Sequence, residues 1–222
     1  MTALVHALLL WAILHPRCVW LGAVVSRFAT EKNEVWLTID DGPCEHTPQL
    51  AEALRTRGVR ATFFVIGERL AEHPGTARAL RSSGHSLANH SHTHPRKTFW
   101  LLSRRRVTEE FDQCAAILRD SGIHSRLFRP PVGHKPPALH PALASRNAPM
   151  IAWSTGGRDG WHADPSATVR RIESAARPGA IILLHEGRAH SLATILAVVD
   201  ALLARGFTFT IPDPESLYAN LH

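Results

Sequence analysis

The sequence predicts an α/β fold, a distorted (β/α) barrel of about seven parallel strands. From Glu34 onward, short apolar runs alternate with helical stretches, and parallel strands joined by crossover helices produce this pattern. About seven such units fit in the chain, which favours a closed or nearly closed barrel over an open sheet. No G-x-G-x-x-G run follows the first strand and the sequence has no P-loop, so the usual nucleotide-binding signatures are absent.

Apolar periodicity, with glycine or proline at the breaks, predicts each element in turn. Strands are predicted over residues 35–40, 61–66, 86–88, 126–128, 149–154, 180–184 and 207–211. Helices are predicted over residues 47–58, 68–83, 107–120, 137–146, 165–177 and 192–205. In the first of these helices Leu50, Ala53 and Leu54 lie at i, i+3 and i+4, and Gly58 marks the stop.

Composition places the chain among ordinary globular proteins. Its 222 residues fit one domain with an appendage. A hydrophobic fraction of 45% and a charged fraction of 20% exclude a disordered chain, a collagen and a disulfide miniprotein. Cys18, Cys44 and Cys114 are far apart and form no CxxC pair, so neither a structural zinc site nor a disulfide framework is expected.

The charge balance permits an anionic partner. Twenty-five Lys and Arg residues against 19 Asp and Glu residues give a net charge of +6. The most basic stretch is Arg96 and Lys97 followed by residues 104–106. No zinc finger or RNP-type run accompanies it, so no nucleic-acid partner is expected. The stretch is either a solvated loop or a patch attracted to a membrane or an anionic polymer.

Two apolar runs precede the first strand. The first covers residues 3–14 and the second residues 18–25, with Pro16 and Arg17 between them. A helix over the first run would span about 18 Å, less than a hydrocarbon core of about 30 Å. Three interpretations are open: membrane association through residues 3–25, an apolar helix packed on the domain, and a degenerate export signal.

Ionisable residues gather at the C-terminal ends of the predicted strands. In a barrel of parallel strands these ends form the face that carries the active site. One active site is therefore predicted there, although no single strand end is diagnostic. The sequences at these ends are Asp40-Asp41-Gly42-Pro43, Asn89 to Pro95, Arg129-Pro130-Pro131, Arg158-Asp159-Gly160-Trp161 and His185.

Two histidines and one carboxylate among these residues predict a metal site. His90 and His94 are four residues apart, one helical turn in a helix. With Asp41 they would hold one divalent ion and leave room for water, as an open catalytic zinc site does. Zinc is the expected ion, and cobalt, nickel or iron also suits this ligand set. Asp40 would then take a proton from the water, and His185 would protonate the leaving group.

Simpler roles are open to the same residues. In the alternative, His90 and His94 belong to a hydrogen-bonded loop, and the two aspartates only form the turn ahead of Gly-Pro. Arg129 would then be an ordinary salt-bridge partner and His185 a buried histidine at a strand end. Only the convergence of these side chains in space separates the two possibilities.

Four motifs, in order, resemble those of the polysaccharide deacetylases, also called the NodB-homology or carbohydrate esterase 4 family. The family patterns are TFDDGP, H-[ST]-x-x-H, R-P-P-x-G and L-x-H. The resemblance covers residues 35–211 and implies a metal-dependent barrel hydrolase that removes N-acetyl groups from a glycan or glycolipid. The corresponding residues are Thr38-Ile39-Asp40-Asp41-Gly42-Pro43, His90-Ser91-His92-Thr93-His94-Pro95, Phe128-Arg129-Pro130-Pro131-Val132-Gly133 and Leu183-Leu184-His185.

The resemblance also implies roles for residues outside the metal site. Arg129 would orient Asp40, and the backbone N–H of Val132 or its neighbour would help to form an oxyanion hole. Pro131 and Leu183 would line the substrate pocket. By motif match, the resemblance gives the base, the metal ligands and the acid as the same residues that were proposed above for these roles.

The sequence departs from the family pattern at three places. Ile39 stands in place of the usual phenylalanine, a core change that is expected to matter little. Val132 stands where many members have an aromatic residue, so sugar contacts are expected to differ. A further family motif, usually D-x-x-D-W and placed before L-x-H, lacks its first aspartate, and one glycine separates Asp159 from Trp161. Asp159 is assigned to tuning His185, and Trp161 to binding substrate.

The predicted organisation is an apolar segment over residues 1–30 and a catalytic domain over residues 31–222, associated with a membrane or the cell envelope. Arg17, Arg27 and Lys32 follow the apolar runs, and the positive-inside rule would instead favour a cytoplasmic domain. The expected partner is an N-acetylated carbohydrate, and the oligomeric state is left open.

Two other functions are alternatives to a deacetylase. One is an amidase or esterase that acts on a non-sugar substrate, and the other is an idle sugar- or metal-binding module. The presence of both Asp40 and His185 argues against an idle module, because binding alone requires neither a base nor an acid.

Overall fold

A parallel sheet lies at the centre of the computed structural model, which describes residues 2–160, 164–213 and 216–217. The strand order is β3-β2-β1-β5-β4, with β6 beside β1, and every pairing is parallel. The six strands in the described ranges are β1 (Glu34–Gly42), β2 (Ala61–Val65), β3 (Ser86–Asn89), β4 (Thr155–Gly156), β5 (Ala180–His185) and β6 (Thr208–Phe209).

Isolated bridges close this sheet into a barrel. Phe128 bridges Asn89 of β3 on one side and Met150 on the other. The N–H of Arg129 donates to the Asn89 carbonyl at 3.0 Å, and the N–H of Ile151 donates to the Phe128 carbonyl at 2.8 Å. From Ile151 the chain runs on to β4, which pairs with β5. The predicted (β/α) barrel is confirmed, but it closes through irregular segments.

The predicted strand over residues 126–128 is only the bridge at Phe128. Pro130 and Pro131 follow directly, and proline supplies no N–H to a strand ladder. The prediction of a regular strand here is therefore wrong, although the segment occupies a strand position in the barrel.

The predicted strand over residues 149–154 is displaced toward the C-terminus. Met150 and Ile151 form isolated bridges, and regular pairing with β5 begins only at β4. Between the two, the hydroxyl of Ser154 accepts from the Ile181 N–H at 3.1 Å. A side-chain oxygen thus takes the place of a backbone acceptor, and the regular ladder is interrupted there.

The helices follow the prediction closely except at one break. The predicted helix over residues 68–83 is two helices, because Pro74 cannot donate in a helix interior and Gly75 has a φ of 90°. The helices are α1 (Thr2–Leu14), α2 (Thr47–Arg55), α3 (Gly67–Glu72), α4 (Thr76–Ser82), α5 (Arg104–Asp120), α6 (Leu139–Ala144), α7 (Pro165–Ala175) and α8 (Ser191–Ala204).

The two faces of β1 divide the core. Val35, Leu37 and Ile39 are fully buried in the large apolar cluster that includes residues of α2, α4, α7 and α8. Trp36 alternates with them and belongs to a second cluster with side chains of β2, β3 and β5. Because side chains alternate along a strand, Asp40 follows Trp36 toward the barrel interior and ends at its C-terminal rim.

Part of the predicted N-terminal segment packs into this barrel. Val24, Val25 and Phe28 are buried, and Val25 bridges Ile151. The boundary at residue 30 stays a prediction, but the chain before it contributes to the core.

The first helix, α1, lies on the outside. Only Ala12 and Ile13 of its described side chains are buried. No helix in the described part of the chain is both long and apolar enough to cross a membrane.

Candidate active site

The end of β1 directs two successive aspartates into one cleft. Along a regular strand Asp40 and Asp41 would face opposite sides. A bulge between Asp40 and Gly42 and a φ of 71° at Asp41 change the direction of the second side chain. Aspartate is among the residues that adopt this left-handed conformation most readily. Both aspartates consequently line the same cleft.

His90 and His94 lie on an irregular loop after β3, and the expected helical turn is absent. Ser91 and His94 have φ values of 69° and 52°, which no right-handed helix contains. The loop is held by its own side chains instead. Asn89 Oδ1 accepts from the Ser91 N–H at 2.9 Å, and Ser91 Oγ accepts from the His94 N–H at 3.1 Å. This loop still brings the two imidazole centres to 4.7 Å from each other.

Glu110 of α5, which the sequence analysis missed, supports the same loop from behind. It is 4% exposed, and one carboxylate oxygen accepts from the N–H groups of His92 and Thr93 at 2.9 Å each. The other accepts from the Thr93 hydroxyl at 2.6 Å. The available signal was an acid on the buried face of the predicted helix, between Val107 and Phe111.

Asp41, His90 and His94 form a cluster with the spacing of a metal site. Asp41 Oδ1 is 3.4 Å from His94 Nε2 and 3.6 Å from His90 Nε2. Bonds of about 2.0–2.2 Å in a tetrahedron separate ligand atoms by about 3.4 Å. His90 Nδ1 lies 2.7 Å from the Arg129 carbonyl oxygen, an acceptor that would fix Nδ1 as the N–H side of the ring when a metal is bound and leave Nε2 as the ligand atom. The donor set therefore fits one divalent ion.

The protonation states of the cluster agree with this assignment. Burial, and then the charge of His90, lowers the pKa of His94 to about 3, which keeps its imidazole neutral. Burial alone would raise the pKa of Asp41, but the hydrogen bond and charge of His90 outweigh it and hold that pKa well below its usual range. An ionised carboxylate and a neutral imidazole are the forms that bind metals.

Arg129 lies fully inside the barrel, with 1% exposure. Its Nη1 donates to Thr38 Oγ1 at 2.8 Å, and Nε and Nη2 donate to the carbonyl oxygens of Ile151 and Ala152 at 3.1 and 3.0 Å. The guanidinium also lies 4.1 Å above the ring of Phe64. These contacts fix its position, since a buried cation without partners would be strongly destabilising.

The same arginine distinguishes Asp40 from Asp41. Arg129 Nη1 donates to Asp40 Oδ1 at 2.6 Å, and Asp40 Oδ2 lies 3.5 Å from His90 Nε2. Asp40 is thus held by a cation on one oxygen and presents the other to the cluster. Asp41 instead approaches both histidines.

His185 lies at the end of β5 and lines the same cleft as the cluster. It is paired in register with Asp40 of β1. Asp159 accepts from the backbone N–H of His185 at 2.7 Å and lies 3.1 Å from its Nδ1. Burial lowers the pKa of His185, but the hydrogen bond and charge of Asp159, aided by Asp40 and Asp41, raise it overall. The structure therefore brings Asp159 to His185, as the sequence predicted.

The remaining predicted site residues are distributed around a cleft of about 400 Å³. Val132 and Leu183 line it, and Pro131 is buried in the turn in which Val132 has a φ of 49°. Trp161 lies outside the described residues. Three further lining residues, Arg96, Trp153 and Arg188, were not predicted as site residues. Arg188 Nη1 lies 3.6 Å from Asp41 Oδ2.

The barrel and the ionisable groups at its strand ends define an enzyme of the hydrolase class. The family model described as polysaccharide deacetylase matches residues 28–172. The chain belongs to the polysaccharide deacetylase family, and the predicted resemblance to that family is confirmed.

Named relatives agree with this assignment. The chitooligosaccharide deacetylase of Rhizobium leguminosarum bv. trifolii is 32% identical over 201 residues, which are 81% of this chain and 90% of that protein. Peptidoglycan-N-acetylglucosamine deacetylase PgdA of Listeria monocytogenes is 27% identical over 83% of this chain, but only 39% of its own length is matched. The family 4 carbohydrate esterase from Streptomyces lividans, solved with acetate, superposes with a TM-score of 0.75 at 32% identity, covering 82% of this chain and 94% of that one.

Proposed function

We propose that the chain is a metal-dependent deacetylase that hydrolyses an N-acetyl amide on a glycan or glycolipid and releases acetate. The observation that carries the proposal is that Asp40 and His185 line the same cleft as the Asp41, His90 and His94 cluster. Asp40 and His185 are in register on neighbouring strands. A base and an acid next to a metal site are what amide hydrolysis requires.

Asp41, His90 and His94 are the proposed ligands of one divalent ion, with zinc expected and cobalt or nickel as alternatives. When bound, the ion supplies Lewis-acid chemistry, which makes water more acidic and polarises a carbonyl. The spacing of the three ligand atoms, all within 4.8 Å of one another, supports this assignment.

Asp40 is the proposed general base. Its Oδ1 is hydrogen-bonded to Arg129, so the proton from the attacking water would go to Oδ2, on the side of the cluster. Arg129 keeps the carboxylate aimed at the cleft and compensates its charge in the buried site. The structure thereby supports the orienting role of Arg129 that the family resemblance implies.

His185 is the proposed general acid. An amide nitrogen leaves poorly as an anion, so it must receive a proton as the C–N bond breaks. Asp159 fixes the Nδ1 side of the ring and leaves Nε2 to donate. Burial is outweighed by the hydrogen bond and charge of Asp159, which raise the pKa of His185 and favour the protonated form that can donate.

The walls of the cleft are proposed to bind the acetyl group and the developing oxyanion. Val132 contributes a backbone N–H at a strained turn, and Leu183 supplies apolar surface. Backbone donors of this kind stabilise charge that develops in the transition state. Pro131 shapes this turn, and Trp161 is proposed as a further substrate contact.

Association with a membrane, at the cell envelope, is also proposed. Leu4, Leu8 and Trp11 of α1 are between 43% and 66% exposed. A helix apolar on all sides is normally covered by protein or lipid, and the described part of this chain covers only its C-terminal end.

Acetate release from a panel of substrates tests the function. The panel contains N-acetylated chitooligosaccharides, peptidoglycan fragments, a simple non-sugar acetamide and an acetate ester. The proposal predicts acetate from at least one N-acetylated sugar and faster turnover on it than on the non-sugar amide. Preference for the non-sugar amide would favour the amidase alternative, and no turnover with metal present would favour an idle module.

A further inference from the structure

A second, larger cleft continues from the active site toward the N-terminal segment. It opens to solvent, has an empty volume of about 1450 Å³, and shares Val132, Trp153, Leu183 and His185 with the site. Its outer wall contains Arg17, Arg158 and Arg171, and we call it the arginine cleft. A group bound there would be directly connected to an acetyl group positioned for hydrolysis.

The arginine cleft is a cationic surface without an internal counter-ion. None of the described residues that line it is an aspartate or a glutamate. The three arginines are exposed, and no ion pair within the described ranges involves them. Guanidinium groups recognise phosphate well because their fork of N–H donors matches its oxygens. The cleft is therefore complementary to an anionic linkage.

The end of α1 forms part of the same structure. His15 and Pro16 line the arginine cleft, directly after Leu14, the last residue of the helix. The N–H of Lys135 donates to the Ile13 carbonyl at 2.8 Å, and Lys135 Nζ donates to the His15 carbonyl. The helix is thus tied to the turn that carries Val132 and cannot be treated as an independent tail.

Exposed apolar side chains are concentrated beside this cleft. Nine of the ten large hydrophobic residues found exposed in the described ranges lie between Leu4 and Trp20, and the other is Leu101. Trp11 and Trp20 are 5.3 Å apart, and tryptophan favours the interface between a bilayer and water. A helix of 13 residues is about 20 Å long, enough to enter one leaflet.

We infer that the substrate is an N-acetylated sugar carried on a membrane lipid through a phosphate-containing linkage. The α1 helix and Trp20 enter the bilayer, the arginine cleft receives the phosphate, and the sugar reaches the cluster at the barrel rim. This inference rests on the proposed deacetylase function and names the substrate class of that same site. The anionic linkage and the lipid are recognised by different residues, so each is tested separately.

The test compares two substrates in the full-length protein loaded with metal. One is N-acetylglucosaminyl diphosphopolyprenol in vesicles of phosphatidylcholine and phosphatidylglycerol, and the other is a soluble chitooligosaccharide. The expected result is binding of the protein to the vesicles and turnover of the lipid-linked sugar at least about tenfold faster. Equal or slower turnover of the lipid-linked sugar would overturn the inference. Absence of acetate from both substrates would instead refute the proposed function.

The lipid contact is tested with Leu4→Gln combined with Leu8→Gln, which keeps two good helix formers on an exposed face. The variant should lose vesicle sedimentation, and its ratio of lipid-linked to soluble turnover should fall on the order of tenfold. Leu101→Gln, an equally polar change at an exposed site elsewhere, is the control. Unchanged vesicle binding in the helix variant would contradict the inference. A wild-type dimer in solution that the same variant dissociates would show a second copy covering α1, and would also contradict it.

The phosphate contact is tested with Arg158→Gln combined with Arg171→Gln. Turnover of a water-soluble sugar diphosphate with a short chain, relative to that of the chitooligosaccharide, should fall on the order of tenfold. Arg170→Gln, at the neighbouring exposed position of α7, is the control. An equal loss on both substrates would assign the arginines a general structural role and contradict the phosphate subsite.

Discussion

Asp40 and Asp41 are adjacent in sequence but have different neighbours in the site. Arg129 holds Asp40 at 2.6 Å, whereas Asp41 reaches both His90 and His94. The strand-end argument found both residues, because a turn after a strand can direct two successive side chains into one site. The sequence also predicts Asp41 as the ligand and Asp40 as the base, but the contact that distinguishes the two, made by Arg129, joins residues distant in sequence and is visible only in the structure.

Asp40→Asn is expected to retain the metal and lose activity. The amide oxygen can still accept from Arg129, but the side chain can no longer accept a proton from water. Loss of a positioned base lowers the rate by about 10²–10⁴-fold. Metal content and turnover are measured together, with Asp41→Asn as the matched variant that should lose the metal. Metal loss in Asp40→Asn but not in Asp41→Asn would mean that the two roles are exchanged.

His185→Ala should affect amides more than activated esters. The amine of an N-acetyl sugar needs a proton to leave, while a nitrophenolate leaves without one. Turnover is compared on an N-acetylated sugar and on nitrophenyl acetate, at equal metal loading. An equal loss on both substrates would argue against His185 as the general acid.

Asp159→Asn should move the alkaline limit of the pH profile to lower pH. The acid must be protonated to act, and Asp159 contributes to raising the pKa of His185. Without that charge His185 loses its proton at a lower pH, so activity declines earlier on the alkaline side. The dependence of kcat on pH is measured beside Asp120→Asn, an exposed control. An unchanged pH dependence of kcat would show that Asp159 does not raise the pKa of His185.

At the scale of elements, the loop from His90 to His94 shows where sequence periodicity stopped being informative. The spacing suggested a helical turn, but Asn89 and Glu110 hold the loop amides in an irregular path. The spacing of the two histidines could not distinguish a helical turn from an irregular loop, because either conformation can bring residues four apart to the same side. The strand predicted over residues 149–154 is likewise displaced in the structure, so the sequence did not indicate that Trp153 lines the cleft.

Glu110→Ala is expected to destabilise the protein and weaken metal binding. The change leaves the N–H groups of His92 and Thr93 without their acceptor, at a cost of about 1–3 kcal/mol in the free energy of unfolding. Loss of groups that support metal ligands typically costs about 10–100-fold in metal affinity. Denaturant unfolding and metal titration measure the two effects. The control is Glu109→Ala, which removes only surface ion pairs with Arg105 and Arg106 and should change neither the free energy of unfolding nor the metal affinity much. Equal effects of the two variants would show that Glu110 does not support the metal-binding loop.

At the scale of the whole molecule, the sequence predicted the barrel and the face that carries the site. The alternation of strands and helices was sufficient for that, because parallel strands need crossover helices. The closure through bridges at Phe128 and Met150 was beyond prediction, since single bridges leave no periodic pattern. The burial of Val24 and Phe28 was also not predicted, because it depends on contacts with the folded barrel and leaves no periodic pattern in the sequence.

The central claim is that one divalent ion at Asp41, His90 and His94 makes this barrel a deacetylase. The most direct measurement is acetate release from an N-acetylated chitooligosaccharide or lipid-linked sugar after exhaustive chelation and stepwise return of zinc. Activity should vanish on chelation and rise linearly until about one zinc ion per chain is bound, and His94→Ala should abolish this recovery. Full activity in the chelated protein, or equal recovery in His94→Ala, would contradict the account.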